Sequence, residues 1–241
     1  DRYVRASDFA GRLGQDNHPE WKTVALDAHG EVVCPQGAIG FRWGPDGRAD
    51  QGQWNLEDKD ARTGEAVRLR LSLMEAGAEE THGWETAQVG FPYFGGIASE
   101  HFPANVQSDV IARTVPVRRL ATVDADGTAR EVLVATVFDL QVAQYGVARG
   151  LPGENAASSY DDDTPYTPAW QEKITGTPRA QVIAVAREFA DNAHRTRGRS
   201  MVIIGAAMNH WYHCDMNYRG IINMLMMCGC IGQSGGGWAH Y

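Results

Sequence analysis

The sequence predicts an α/β protein: an irregular, β-rich first part, then a helix-strand-helix piece of a doubly wound, Rossmann-like sheet. Three stretches carry that reading. In residues 181–193, QVIAVAREFADNA, Val182, Ile183, Ala186, Phe189, Ala190 and Ala193 recur at helical spacing. Residues 201–204, MVII, are apolar, β-branched and too short for a helix, the pattern of a strand buried on both faces of a parallel sheet. Residues 216–227 return to helical spacing, with Ile221, Ile222, Leu225 and Met226 on one broad face.

Taken in order, residues 1–26 hold Phe9, Leu13, Trp21, Val24 and Leu26 among many charges, enough for a short helix and a connecting strand. Residues 27–56 are turn chemistry, beginning with Asp27, Ala28, His29 and Gly30, with short apolar pieces between, and predict small hairpins. In residues 65–74, EAVRLRLSLM, Val67, Leu69, Leu71 and Leu73 alternate with polar residues as in a half-buried strand. Residues 75–85 are acidic and predict an exposed loop, and the aromatic cluster 91–96, FPYFGG, reads as a packed turn ahead of a ligand surface. Two β-branched runs, 113–123 and 128–140, flank Asp124, Ala125, Asp126 and Gly127, a strong hairpin signal.

Residues 141–149 predict a helical turn, and residues 151–165, rich in Pro, Ser and Asp, a linker loop between a first region, 1–150, and a second, 166–241. Adjacent Asp161, Asp162 and Asp163 repel and diverge, so they read as a solvated loop, not a cation site. Thr167-Pro168 and Thr177-Pro178 each place a capping hydroxyl before a proline at the first helical position, predicting two helix starts.

A formal charge of −8 argues against a nucleic-acid surface. The basic run 195–199, RTRGR, reads as a helix end complementing its dipole. No stretch has the about 18 consecutive apolar residues that spanning a bilayer takes. The four cysteines, Cys34, Cys214, Cys228 and Cys230, form no spaced framework and are expected as reduced thiols in a cytosolic setting. The first residue is Asp1 and the last glycine turn runs almost to the end, so the chain is expected to be a piece of something larger.

The candidate chemistry is concentrated at the end of the chain. After Gly205, the loop 206–213, AAMNHWYH, gathers an amide, two imidazoles and aromatic rings at the carboxyl end of a strand, where open α/β sheets bind ligands. His210, His213, Cys214 and Asp215 offer zinc-type donors but no identified fourth ligand, so polar contact with an organic cofactor is favoured over a dedicated metal site. Cys228, Cys230, Met224, Met226 and Met227 read as core. Gly235, Gly236 and Gly237 suit a loop that a ligand approaches closely. There is no nucleophile elbow, phosphate loop or dinucleotide fingerprint.

The segments YTPAWQEKITG (166–176), AREFA (186–190), GAAMNHWYH (205–213), NML (223–225) and GGG (235–237) together resemble the molybdopterin oxidoreductase family, which includes DMSO reductase. The runs DRYVR, IGFRW, VGFPYFGG, SYDD, NHWYH and GQSGGGWAHY are similar to its nitrate-reducing branch, and extend the match over essentially the whole chain. The resemblance implies an internal piece of a large catalytic subunit that binds a molybdenum bis(pyranopterin guanine dinucleotide) and one [4Fe–4S] cluster. Quinol-derived electrons would reduce nitrate to nitrite.

It also implies an iron–sulfur beta subunit and a membrane cytochrome b gamma subunit as partners. The subunit would be held peripherally on the cytoplasmic side of the membrane, some relatives facing the other way. Region 166–241 becomes an α/β piece of the cofactor-binding domain, and 1–150 an insertion with its hairpin at about 113–140. No iron–sulfur or molybdenum ligand carries over, and the piece alone is expected to bind neither group and to be inactive.

Gly205, Met208, Asn209, His210, Gly235, Gly236 and Gly237 are implied as cofactor contacts, Asn209 and His210 standing where relatives place an Asn-Gln pair. His210 and His213 are the candidate proton donors, histidine titrating near neutral pH. Two other readings stay open: another oxyanion oxidoreductase of the family, such as a chlorate or selenate reductase or a nitrite oxidoreductase, and a non-enzymatic zinc-binding interaction module.

Overall fold

A computed structural model of the chain describes residues 3–9, 23–33, 57–59, 66–75, 83–92, 110–124 and 126–240. The chain divides into two compact units, one of Asp1–Ala38 and Leu56–Gly176, the other of Ile39–Asn55 and Thr177–Tyr241. Among the described residues the chain is mixed α/β, as the sequence predicts. No described helix is long and apolar enough to cross a membrane.

The first unit opens with a 3-10 turn, Ala6–Phe9, and two short antiparallel pairs. β1 (Ala25–Leu26) and β2 (Val32–Val33) are joined by the predicted turn, in which one Asp27 carboxylate oxygen accepts the amides of His29 and Glu31, both at 2.8 Å. β3 (Glu57–Lys59) pairs with β4 (Ala66–Arg68). The strand expected over 65–74 stops there. Arg70 makes only an isolated bridge to Leu26, and residues 71–75 bend. The cause is a buried carboxylate: Asp139 accepts the Ser72 hydroxyl at 2.6 Å and the Leu73 amide at 2.9 Å, so Leu69 and Leu73 point inward while Leu71 is exposed.

The predicted hairpin is present and belongs to a three-stranded sheet of β5 (Glu85–Pro92), β6 (Val110–Val123) and β7 (Ala129–Val134), with β6 central and all pairs antiparallel. Asp124 accepts the amides of Asp126 and Thr128, and Gly127 takes the φ of +82° that closes the turn. The second expected strand does not reach 140, because Thr136 accepts the Asp139 amide at 3.0 Å and starts α1 (Val137–Gln144). Phe91 packs on the apolar cluster of Val115, Val117 and Ala143. Residues 93–96 of its aromatic cluster, the loop 76–82, Cys34 and the turns over 34–56 lie outside the described residues.

Residues 113–118 of β6 are buried in succession, so both faces of the strand are covered. Part of the cover on the second face comes from residues 151–165, held by hydrogen bonds from Thr114 to the Gly153 carbonyl at 2.9 Å and from the Asn155 amide to Ala112 at 2.9 Å, and part from the turn at Gly30, whose carbonyl accepts from Arg118. Asp162 accepts the amides and hydroxyls of Ser158 and Ser159, which holds its carboxyl below its ordinary value. Thr167 caps α2 (Pro168–Thr175) as predicted, and Gly176 in the left-handed region ends it.

In the second unit, α3 (Arg179–Thr196) starts one residue later than its Thr-Pro signal implies. Pro178 is itself the N-cap and no side chain caps the helix, so the Thr177 hydroxyl stands one position too early. β8 (Met201–Ile204) leads through α4 (Ala206–Asn209) and α5 (Cys214–Met227) to β9 (Gly237–His240), which lies parallel to β8 with Met201 beside Gly237 and Ile204 beside His240. A parallel pair bridged by helix is a β-α-β unit.

The core is Ala193, Leu225 and Cys230, with Phe189, Val202, Ile221 and Trp238 against it. It covers one face of β8 only. Residues alternate between faces along a strand, so Ile203 is 78% exposed and Met201 44%, and the expected burial on both faces does not hold. On α3, Ala186 and Ala190 are exposed, and on α5, Ile222, Met226 and Met227 are. The inward stripe of α5 is instead Ile221, Leu225 and Cys228, a spacing of four and three.

Candidate functional site

The carboxyl ends of β8 and β9 point the same way, and the chain leaves β8 there into the predicted loop. Gly205 is the N-cap of α4, and nothing lies within 4 Å of where its Cβ would be. The expected loop 206–213 is in part helical: α4 is one turn, closed at His210, whose amide bonds to the carbonyls of Ala207 and Met208. Met208 and Asn209 are half-buried on this turn and His210 is exposed beside them. Trp211 and Tyr212 stand out, 57% and 88% exposed. His213 is the N-cap of α5, with a left-handed φ of 57° and its ring 3.9 Å from that of Tyr212.

Two residues complete this edge that sequence reasoning missed. The Tyr218 hydroxyl, from the second turn of α5, donates to the Asn209 carboxamide oxygen and lies 3.2 Å from Nε2 of His240, the last residue of β9. Burial raises the Tyr218 pKa above its ordinary value, with a lesser contribution from Cys214, so the phenol stays protonated at neutral pH. The signal for Tyr218 is its position on the first turns of a helix that starts at a strand's carboxyl end. His240 had none, because only the parallel register, unread in the sequence, brings it beside Ile204.

The candidate cofactor residues fall into two groups. Gly205, Met208, Asn209 and His210 gather at the carboxyl end of the strand pair, whereas Gly235, Gly236 and Gly237 enter β9 at its amino end. Three residue steps separate the ends, about 10 Å. The close approach at the glycine turn is made by the protein's own backbone. A Cβ on Gly236 would strike the carbonyl oxygens of Gly198 and Cys230, and one on Gly198 would strike that of Gly229.

Cys230 is fully buried in the core, as expected, and burial with its neighbour's charge pushes the Cys228 thiol up. Met226 and Met227, expected in the core, are not. Among the described residues no three His, Cys, Asp or Glu converge to hold a metal, so His210, His213, Cys214 and Asp215 do not assemble the zinc site of the alternative reading. The His213 ring lies tilted against that of Tyr212, and His210 closes a different helix.

Residues 48–241 match the family described as molybdopterin oxidoreductase. The chain belongs to that family. Over the whole chain it is 56% identical to the respiratory nitrate reductase 1 alpha chain of Escherichia coli, 43% to the nitrate reductase alpha subunit of Mycobacterium tuberculosis and 41% to the nitrate reductase alpha chain of Bacillus subtilis. It spans 18%, 17% and 17% of those proteins' lengths.

Membership implies a molybdenum cofactor. The carboxyl edge of the strand pair fits the organic part of such a group: open space above Gly205, a carboxamide, an exposed imidazole and the amides of a helix start. These are hydrogen-bonding donors and acceptors, not a metal's ligand set.

Proposed function

We propose that the chain is part of the catalytic subunit of a respiratory nitrate reductase, a molybdoenzyme that reduces nitrate to nitrite. The observation that carries this is the identity of 56% over 240 residues, the whole of this chain, with an E. coli respiratory nitrate reductase alpha chain. The cofactor is a molybdenum bis(pyranopterin guanine dinucleotide), which supplies the acceptor for nitrate's oxygen and two electrons when bound. One [4Fe–4S] cluster elsewhere in the subunit would relay quinol-derived electrons. An iron–sulfur beta subunit and a membrane cytochrome b gamma subunit complete the complex and hold it on the cytoplasmic side of the membrane.

Within this chain, Gly205, Met208 and Asn209 contact the pterin through backbone approach and the carboxamide. His210 binds beside Asn209 and delivers a proton to the departing nitrate oxygen, since nitrate plus two protons and two electrons gives nitrite and water. His213, at the start of α5 and against Tyr212, is the second proton carrier. Gly235, Gly236 and Gly237 serve the site from the far end by fixing β9, and with it His240.

The test is elemental analysis and pterin extraction on the full-length subunit and on this chain, with turnover of nitrate, chlorate and selenate by the full-length complex. Molybdenum and pterin in the subunit, with nitrate turned over at the highest kcat/KM, is the expected result. Preference for another oxyanion, or zinc in place of molybdenum, would overturn it.

A further inference from the structure

We propose that Tyr218 and His240 are positioning residues that set the orientation of the Asn209 carboxamide, an inference that rests on reading Asn209 as a cofactor contact. The three side chains come from three elements, the end of α4, the second turn of α5 and the end of β9, and meet at the carboxyl edge of the parallel pair.

A phenol has one proton. The Tyr218 hydroxyl donates it to Oδ1 of Asn209, so in the 3.2 Å contact with His240 the imidazole is the donor and carries its hydrogen on Nε2. The hydrogen bonds therefore run in one direction, from His240 through Tyr218 to Asn209. With its oxygen held toward the phenol, the Asn209 carboxamide at the end of α4 is left to turn its NH2 away from Tyr218.

Ring packing holds the chain in place. Trp238, packed on the core of the unit, meets the Tyr218 ring edge-on at 5.0 Å and 88°, and stacks with the His240 ring at 6.0 Å and 27°. His240 meets Tyr218 edge-on at 5.6 Å. Such pairs restrict the rotamers of both rings. The backbone register beneath, Ile204 beside His240, ties the same residue to the strand that launches the loop. Core, aromatic rings and hydroxyl thus form one line of support that ends on the carboxamide.

The experiment uses the full-length, cofactor-loaded complex with Asn209→Ala, Tyr218→Phe, the double variant, His240→Gln and His240→Phe. The first readout is the rate of pterin release on mild warming, followed by fluorescence. Asn209→Ala should speed release about tenfold and Tyr218→Phe about threefold, the loss of one hydrogen bond each. The double variant should release at the Asn209→Ala rate, because the hydroxyl acts only through the carboxamide. His240→Gln, which keeps an N–H donor, should stay near the wild-type rate, and His240→Phe should match Tyr218→Phe.

The second readout is the crystal structure of the Tyr218→Phe complex, in which the Asn209 carboxamide should be rotated. An unrotated carboxamide, or a double variant that multiplies both single effects, would overturn the positioning role. A rotated carboxamide with wild-type release in Asn209→Ala would uphold it while removing the cofactor contact.

Discussion

In the first unit, polar and charged groups are taken inside and most of them are hydrogen-bonded, whereas in the second the interior is apolar and whole apolar faces stay open. Asp139, fully buried, is satisfied by Ser72, Leu73 and Thr136 and by Arg149, whose guanidinium lies at 2.5 Å. Arg113, 2% exposed, reaches the carbonyls of Asn155 and Pro165, and burial lowers its pKa. Against this, the second unit has a core of Ala193, Leu225 and Cys230, while Ile203, Val185, Met226 and Tyr212 face outward. A buried ion pair knots distant segments into one shape, here residues 72–73 with 136–149. An open apolar edge with polar groups on a loop leaves a surface on which something else can sit.

The contrast breaks most sharply at Asp139. Asp139→Ala leaves the Arg149 guanidinium, 15% exposed, without its carboxylate. It should cost about 3–5 kcal/mol of stability by chemical denaturation. Leu225→Ala in the second unit's core should cost about 2–5 kcal/mol. Ile203→Thr, on the same unit's open face, should stay within about 0.5 kcal/mol of wild type in this chain. A large loss at Ile203 would show that face to be covered.

Gly236→Ala pushes a methyl against two carbonyl oxygens and should cost about 1–3 kcal/mol. The smallest effect is electrostatic. Because its serine partners lower the folded-state pKa of Asp162, its contribution is present above the ordinary value of 3.8 and is lost as pH falls through the folded value. The midpoint at which the NMR shifts of the Ser158 and Ser159 amides move should lie below 3.8, and Asp162→Ala should abolish that titration.

What was legible in the sequence was what is local. The hairpin around Gly127, the Thr167 cap, the strand 201–204 and the helix after it all follow from neighbouring residues. The end of the strand at Arg68 was not, since the carboxylate that bends residues 71–75 lies 67 positions away. Nor was β9, four residues after the glycine turn that become a strand only by pairing with β8. The three glycines were legible as a close approach, and at Gly236 the carbonyls of Gly198 and Cys230 make one from the protein's own backbone. At the candidate site, Asn209 and His210 stood out by residue type and place, while Tyr218 and His240 join only through the register.

The proposed proton donor sits at the carboxyl edge of the second unit's strand pair, so the most direct test is His210→Ala in the full-length complex, with molybdenum content and thermal stability measured alongside nitrate turnover. Molybdenum content and stability near wild type, with turnover lowered about a hundredfold or more, is the predicted result for a lost proton donor. Wild-type turnover with molybdenum retained would contradict it.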